Sequence, residues 1–291
     1  MSVYKHEVFN FQNSLSDEQI RFFNKHGFLH LKNFISGDTV KKFINEIDNI
    51  HDELITNNVR KINGIPLKYG YASNNRQIIQ RLAFASHYSH ILSRFLKDER
   101  LKELLPLLGN YEGRIGENEK DGLVVNHYEN TAQSTFKQLG WHTDSPRDLF
   151  LGSRILPMLN VGLHLDDCPV SNGGLRFLPG THKQNLFSLF FKKKYFIDNE
   201  PDKNEVGVDI EAGDLTIHNG SLWHRVEQSP HSGEKSRRRV MYIPLITGAY
   251  KPKTASSSTP FYHKLAQVKL PSLKWRSAPV PEYSYPQTAK S

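Results

Sequence analysis

A histidine and an aspartate two positions apart, followed much later by another histidine, constrain the fold of this chain most. His142-Thr143-Asp144 places an imidazole and a carboxylate at alternate positions. In an extended strand, alternate side chains point to the same face, so both groups can reach one metal ion. A third ligand must then come from elsewhere in the fold, and His224 is a candidate. The chain must therefore fold so that two distant segments converge.

Two histidines and one carboxylate form the facial triad of non-haem Fe(II) oxygenases, which leaves coordination positions open for reactants. The short His-x-Asp pattern alone also fits a surface pair or a buried hydrogen bond. His218, shortly before His224, is a rival third ligand. The residues therefore predict a metal site of this type and leave open which late histidine completes it.

The composition predicts a soluble intracellular protein. No apolar run reaches the roughly 20 residues that a membrane span requires, and the first residues form no apolar signal segment. The single cysteine, Cys168, excludes an internal disulfide and fits a reducing cytosol. We therefore expect a cytoplasmic protein with no membrane span.

The net charge of +8 is concentrated at the C-terminus. Residues 251–291 contain seven lysines and arginines against one acidic residue, Glu282. A solvated tail is the simpler interpretation, and contact with an anionic partner is the alternative. Nucleic acid is not the partner that this distribution favours, and the sequence does not indicate an oligomeric state.

Helical patterns dominate the N-terminal part. A capping box formed by Ser16 and Gln19 predicts a helix that ends at Gly27. Apolar residues at helical spacing predict a second helix from about Asp38. A short strand is expected between these two helices. Two more helical stretches are expected at 77–96 and 100–108. Residues 60–75 are expected to form a loop.

The pattern changes to short extended runs from about Gly122. Strands are predicted at 123–128, 160–165, 175–178, 215–218 and 238–243. This order predicts a mostly β fold with flanking helices, in which an N-terminal helical layer supports a sheet core. We expect a single domain over 1–291, made of a helical part (14–110), the sheet core (120–248) and a basic irregular segment (249–291).

Four sequence blocks then carry a resemblance to a known family. They are Gly140-Trp141-His142-Thr143-Asp144-Ser145-Pro146, 172–183, 213–224 and 237–242, after the opening run 22–28. In this order the blocks resemble the phytanoyl-CoA dioxygenase family of Fe(II)- and 2-oxoglutarate-dependent oxygenases. The resemblance extends from about Ser16 to Ile246.

The resemblance implies a double-stranded β-helix, or jelly roll, with Fe(II), 2-oxoglutarate and O2 as cofactor and co-substrates. It makes His142, Asp144 and His224 the iron ligands and His218 a supporting histidine. The implied reaction hydroxylates, or otherwise oxidises, an unactivated C–H bond of a small molecule and releases succinate and CO2. Related halogenases lack the carboxylate of Asp144, so its presence favours hydroxylation. A specialised-metabolite substrate is favoured over an acyl-CoA, because no CoA-binding sequence is visible.

An arginine is expected to bind the distal carboxylate of 2-oxoglutarate, because its planar fork suits a carboxylate. Alternate residues of a strand share a face, and the resemblance selects Arg238, with Val240 and Tyr242 on the same face. Arg237 and Arg239 are then expected at a solvated strand edge. Asn126 and Gln138 are candidates for further contacts with 2-oxoglutarate.

Two positions depart from the family pattern. Many 2-oxoglutarate oxygenases have Ser or Thr two residues after the arginine, where this chain has Val240. An aromatic residue is common where this chain has Val161-Gly162. The smaller residues fit either a larger pocket or a repacked core.

Two other functional interpretations stay open. One is a jelly-roll ligand-binding protein that has lost catalysis. The other keeps the oxygenase core and uses the basic C-terminal segment to bind a polyanion such as RNA.

Overall fold

The computed structural model describes residues 7–134, 136–145, 155–185, 188 and 192–260. Within these residues the strands, in chain order, are β1 (Phe9–Asn10), β2 (Phe28–Lys32), β3 (Lys61–Ile62), β4 (Ile65–Pro66), β5 (Lys68–Tyr71), β6 (Gln77–Leu82), β7 (Gly113–Ile115), β8 (Val124–Tyr128), β9 (Leu139–His142), β10 (Met158–His164), β11 (Gly174–Phe177), β12 (Val206–Gly207), β13 (Leu215–Asn219), β14 (His224–Glu227) and β15 (Arg238–Thr247). The α-helices are α1 (Asp17–His26), α2 (Gly37–Thr56), α3 (His90–Phe95) and α4 (Glu99–Lys102). Short 3-10 helices cover Ala85–Tyr88, Leu105–Leu108, Val170–Asn172, Thr181–Lys183 and Gly233–Ser236.

The last eight strands form two facing sheets. The large sheet contains β13, β10, β15 and β8 in that order, and the small sheet contains β12, β11, β14 and β9. Neighbouring strands among these eight are antiparallel. Because the chain alternates between the sheets as it proceeds, the two sheets wind into a double-stranded β-helix. The predicted jelly-roll fold is confirmed.

The N-terminal part extends the large sheet as well as supplying helices. β2 pairs with β13, and β1 joins β2 in parallel. At the other end, β6 pairs with β8 and β5 with β6. The predicted helical layer is therefore mixed with strands that widen the large sheet to nine.

The capping box predicted for α1 is present. The Ser16 hydroxyl accepts a hydrogen bond from the Gln19 amide at 3.2 Å, and the Gln19 side chain accepts one from the Ser16 amide at 2.9 Å. Gly27 ends the helix with φ +85°, a conformation that glycine adopts without strain. β2 begins at the next residue, as predicted. None of the helices in the described ranges is long and apolar enough to cross a lipid bilayer.

Two predictions for the N-terminal part were wrong. Gln77–Leu82 was expected to be helical but forms β6, in which Ile78, Ile79 and Gln80 are consecutively buried. A strand that is covered on both faces lacks the alternation that identifies strands from sequence. Residues 60–75, predicted to be a loop, contain β3, β4 and β5. The Ala72–Arg76 turn joins β5 to β6, with the Ala72 amide donating to the Arg76 carbonyl at 2.9 Å.

The two faces of the large sheet differ in polarity. Directly paired residues of neighbouring strands share a face, so the register assigns each side chain to one side. The outer face, toward the helices, is mostly apolar, with Leu159, Val161, Leu163, Ile217 and Ile243 all at 0% exposure. The inner face, toward the small sheet, carries buried polar residues, among them Asn126, His164, Thr216, His218 and Arg238. The space between the sheets is thus a polar interior.

The C-terminal segment begins irregularly, as predicted. Within 251–260, the Lys253 amide donates to the Asn118 carbonyl at 2.8 Å. The remainder of the basic segment, including the irregular run expected at 279–286, lies outside the described residues.

His51 is an uncharged buried histidine on α2. Its ring is fully buried, and its centroid lies 6.3 Å from that of His127. Neither ring nitrogen of His51 has a hydrogen-bond partner in the described ranges. Burial, followed by the neighbouring His127, Arg76 and Arg239, lowers the pKa of His51 to about 3.

We expect the free energy of unfolding to decrease as the pH falls from 6.5 toward 3. In this window the unfolded chain protonates His51 and the folded chain does not, so acid favours unfolding by about 1.4 kcal/mol per pH unit. The free energy of unfolding can be measured in urea between pH 7 and 5. Its dependence on pH should be weaker in His51→Leu than in wild type, by an amount that corresponds to about one proton. His90→Leu removes an exposed imidazole as the control. Equal slopes in wild type and His51→Leu would contradict this prediction.

Candidate metal centre

The end of β9 places the first two residues of the predicted triad. His142 is the last residue of β9, and a tight turn follows. The amides of Asp144 and Ser145 both donate to the Gly220 carbonyl, at 2.8 and 2.9 Å. A Cβ atom at Gly220 would lie only 2.4 Å from Met158, so a residue without a side chain is required there. These contacts fix Asp144 beside His142.

Strand pairing in the small sheet supplies the third residue. β14 begins at His224, and His224 stands directly opposite His142 on β9. The centroids of the two imidazole rings are 4.0 Å apart. Pairing of these antiparallel strands therefore joins two histidines that are far apart in sequence.

The ligand atoms converge on one point. One atom from each of His142, Asp144 and His224 lies within 4.8 Å of the others. Nδ1 of His142 is 2.8 Å from the Gly140 carbonyl, and Nδ1 of His224 is 3.0 Å from the Leu222 carbonyl. Such contacts hold the proton on Nδ1 and leave Nε2 free to bind a metal.

The charge state of the site suits a divalent cation. Burial is the main cause that lowers the pKa of both His142 and His224, which favours the neutral imidazoles that bind metals. Burial opposes the ionisation of Asp144, but the neighbouring His218, His224 and His142 lower its pKa overall. Two neutral nitrogens and one anionic oxygen match the donor set of an Fe(II) site.

His218 lies behind the carboxylate. It is buried on the inner face of β13, with its Nε2 3.5 Å from Oδ2 of Asp144 and its ring centroid 4.3 Å from that of His224. Asn160 on β10 also donates to Oδ2 of Asp144, at 3.3 Å. The converging group contains His224 and not His218. This geometry favours His224 as the third ligand and makes His218 a neighbour of Asp144.

The interior between the two sheets contains a cavity. Arg238, Tyr128, Val226, Val240 and Tyr242 are among its lining residues. Val226 lies two residues after His224 and therefore on the same face of β14. Arg238 is buried, and its Nη1 donates to the Glu227 carbonyl at 2.8 Å. A buried cation thus lines a cavity that is also lined by Val226, a neighbour of His224 along β14.

The two flanking arginines have other partners. Arg237 is half-buried and lies 3.5 Å from Glu234. Arg239 is mostly buried and forms an ion pair with Asp166 at 2.6 Å. The expectation of a solvated edge was therefore wrong for Arg239, because Asp166 compensates the charge of its guanidinium in a buried position.

The two candidate amide residues occupy different places. Asn126 is buried on the inner face opposite Val240, and its Oδ1 has no hydrogen-bond partner among the described residues. Gln138 precedes β9, and its side chain is exposed. The structure brings Asn126, but not Gln138, to the inner face.

The small residue at position 162 does not leave an empty space. A Cβ atom at Gly162 would lie 2.9 Å from the Tyr242 ring and 3.1 Å from the Thr216 hydroxyl. Of the two explanations for Val161-Gly162, the repacked core is the one that agrees with the structure. Tyr242 fills the volume that a larger residue would take.

Sequence reasoning missed Phe196 and Tyr128. The Phe196 ring stacks on His142 with centroids 4.8 Å apart, although Phe196 is 57% exposed and has φ +59°. No local pattern indicates this contact. Tyr128 lines the cavity, and its spacing from Asn126 on β8 is the signal that could have identified it.

The sequence of this chain is similar to a protein family and to members of that family. A family model described as phytanoyl-CoA dioxygenase (PhyH) matches residues 23–238. A phytanoyl-CoA dioxygenase domain-containing protein 1 homolog of Dictyostelium discoideum is 24% identical over 261 residues, covering 77% of this chain and 88% of that protein. Phytanoyl-CoA dioxygenase 1 of Oryza sativa subsp. japonica is 26% identical over 239 residues, covering 73% and 83%.

Solved structures share the fold at low sequence identity. HygX from Streptomyces hygroscopicus, with nickel and 2-oxoglutarate bound, is 17% identical with a TM-score of 0.57, covering 82% of this chain and 89% of that one. The epimerase SnoN, in complex with Fe3+, alpha ketoglutarate and nogalamycin RO, is also 17% identical with a TM-score of 0.57, covering 94% and 95%. These likenesses support the jelly-roll fold.

The ligand assignment makes a prediction for metal binding. Asp144→Ala and His224→Ala are each expected to weaken Mn(II) binding by at least about 100-fold, because each removes one of three ligands. His218→Gln is expected to weaken it by only about 10-fold, since His218 contacts Asp144 without joining the ligand group. Calorimetric titration of the three variants measures the difference. Equal losses for His218→Gln and His224→Ala would reject His224 as the third ligand.

Proposed function

Because the chain belongs to the phytanoyl-CoA dioxygenase family, we propose that it is an Fe(II)- and 2-oxoglutarate-dependent dioxygenase that hydroxylates, or otherwise oxidises, a C–H bond of a small molecule. One observation carries the proposal. His142, Asp144 and His224 converge in the interior between the two sheets, which also contains a cavity lined by Arg238. A candidate metal site and a buried cation thereby share one interior.

Fe(II) would be held by Nε2 of His142, a carboxylate oxygen of Asp144 and Nε2 of His224. The donor set fits, because imidazole and carboxylate both bind iron and three protein ligands leave positions open. The metals and 2-oxoglutarate bound to HygX and SnoN support the same cofactor and co-substrate here. When bound, iron, 2-oxoglutarate and O2 together supply the oxidising power, with succinate and CO2 as by-products.

Arg238 would bind the distal carboxylate of 2-oxoglutarate. Its guanidinium is held by the Glu227 carbonyl, and its Nε is buried with no hydrogen-bond partner in the described part of the chain. A buried donor without a partner is costly unless a ligand satisfies it. A carboxylate does so with a charge-assisted hydrogen bond.

Apolar side chains limit water around the metal ligands. Val226 follows His224 on the same face, and the Phe177 ring centroid is 6.5 Å from that of His224. Both residues are buried. An apolar wall that excludes water strengthens electrostatic contacts inside the site and protects reactive species from water.

Hydroxylation is the form of oxidation that we favour for this chain. Asp144 fills the position that related halogenases leave to a halide, so all three protein ligands are present. SnoN, which shares the fold, is an epimerase, and the outcome of the oxidation therefore depends on how the substrate is presented. A small molecule that fits a cavity between two sheets is the proposed substrate class.

The Arg238 assignment is tested by a pair of neighbouring substitutions. Arg238→Gln should raise the concentration of 2-oxoglutarate needed for half-maximal succinate formation by about 10- to 100-fold, because charge-assisted hydrogen bonds are lost. Arg237→Gln removes an adjacent guanidinium that pairs with Glu234 and should leave this value unchanged. The measurement is succinate released with Fe(II), 2-oxoglutarate and O2.

Asp144→Ala provides the second arm of this experiment. It should abolish succinate formation, since the anionic ligand is lost. Turnover that persists in Asp144→Ala contradicts the proposal. Wild-type protein that binds neither Fe(II) nor 2-oxoglutarate would instead be a jelly-roll binding protein without this chemistry.

A further inference from the structure

Val240 leaves the proposed carboxylate site short of one donor. It lies two residues after Arg238, on the same face of β15. Related oxygenases often have a hydroxyl side chain at this position, whereas valine has no hydrogen-bonding group. A carboxylate accepts about four hydrogen bonds through its two oxygens, so a single arginine satisfies only part of its capacity.

Tyr128 stands directly opposite Arg238 on the neighbouring strand. The β8–β15 register pairs these two residues. Tyr128 is only 2% exposed, and the guanidinium carbon of Arg238 lies 5.4 Å from its ring centroid. The ring therefore supports the guanidinium through a cation–π contact. Both side chains line the same cavity.

The hydroxyl of Tyr128 contacts the residue that is paired with Val240. Asn126 is paired with Val240 across the same two strands. The Asn126 side-chain amide lies 3.4 Å from the Tyr128 hydroxyl and donates to it. The phenol oxygen thus lies next to the side chain of the residue that stands opposite Val240.

The phenol is prepared to donate a hydrogen bond. Because its oxygen accepts from Asn126, its own proton can be donated, and the structure gives it no acceptor within the described ranges. Accepting one hydrogen bond strengthens a hydroxyl as a donor. Together with the unpartnered Nε of Arg238, the cavity presents two buried donors to an anion.

We propose that Tyr128 donates to the distal carboxylate of 2-oxoglutarate the hydrogen bond that Val240 cannot supply. Tyr128 is then a positioning residue for the co-substrate, contributed by β8 in place of a hydroxyl side chain on β15. This inference rests on the proposed function and adds a determinant of co-substrate selectivity to it.

The test is calorimetric titration of 2-oxoglutarate into Mn(II)-loaded protein, which requires no turnover. Tyr128→Phe should weaken binding by about 10-fold, the loss expected for one hydrogen bond to a charged group. Adding Val240→Ser to Tyr128→Phe should recover part of this loss, because a hydroxyl returns on the other strand. Tyr69→Phe, which removes a phenol oxygen bonded to the Val59 carbonyl at the sheet edge, should leave binding unchanged.

A second ligand separates positioning from a general structural role. 2-Oxovalerate keeps the 2-oxo acid group but lacks the distal carboxylate. Tyr128→Phe should change its affinity by less than about 2-fold, since no hydrogen bond to a charged group is lost. Equal weakening for both ligands would mean that Tyr128 only maintains the shape of the cavity, and the inference would fail.

The outcomes distinguish this inference from the proposed function. Wild-type protein that does not bind 2-oxoglutarate overturns both. Wild-type binding that Arg238→Gln abolishes but Tyr128→Phe leaves intact overturns only the role of Tyr128. Selective loss with 2-oxoglutarate, recovered in part by Val240→Ser, supports both.

Discussion

The pairing of β9 with β14 is the interaction on which the candidate site depends. Each strand orients its own histidine, because the imidazole Nδ1 contacts the carbonyl two residues earlier, at Gly140 in one strand and Leu222 in the other. The register then sets His142 opposite His224. A shift of one residue would turn His224 to the outer face of the small sheet. The register of one strand pair therefore decides whether the metal ligands meet.

Contacts on the other face of β14 connect it to β11 and to Glu205. Arg225 is 3% exposed and forms ion pairs with Glu205 and Glu227, while Arg176 on β11 also pairs with Glu227. Removing one partner of a buried ion pair is strongly destabilising, because the other charge is left uncompensated. The Glu227 carbonyl also accepts from Arg238 on the opposite sheet. β14 consequently connects the candidate metal ligand His224, the ion-pair network and Arg238, the arginine proposed to bind a carboxylate.

Local signals in the sequence predicted much of this arrangement, and the failures have a common cause. The capping box of α1 and the strand that begins after Gly27 are short-range features, and both were found. The resemblance selected Arg238, and the structure buries this arginine in the lining of the cavity. β6 was missed because it is buried on both faces, and the roles of Tyr128 and Phe196 depend on partners from other segments. No single stretch of sequence predicts the register or the packing between distant segments.

The polar interior links the stability of the large sheet to its proposed function. Buried polar groups cost stability unless they are paired. Away from the cavity such pairs exist, as between His30 and Asp214 at 2.8 Å and between His164 and Thr216 at 2.9 Å. On the same inner face, Nε of Arg238 and Oδ1 of Asn126 have no partner among the described residues. A bound dicarboxylate would satisfy the arginine, so the sheet is expected to gain stability from the co-substrate that it is proposed to bind.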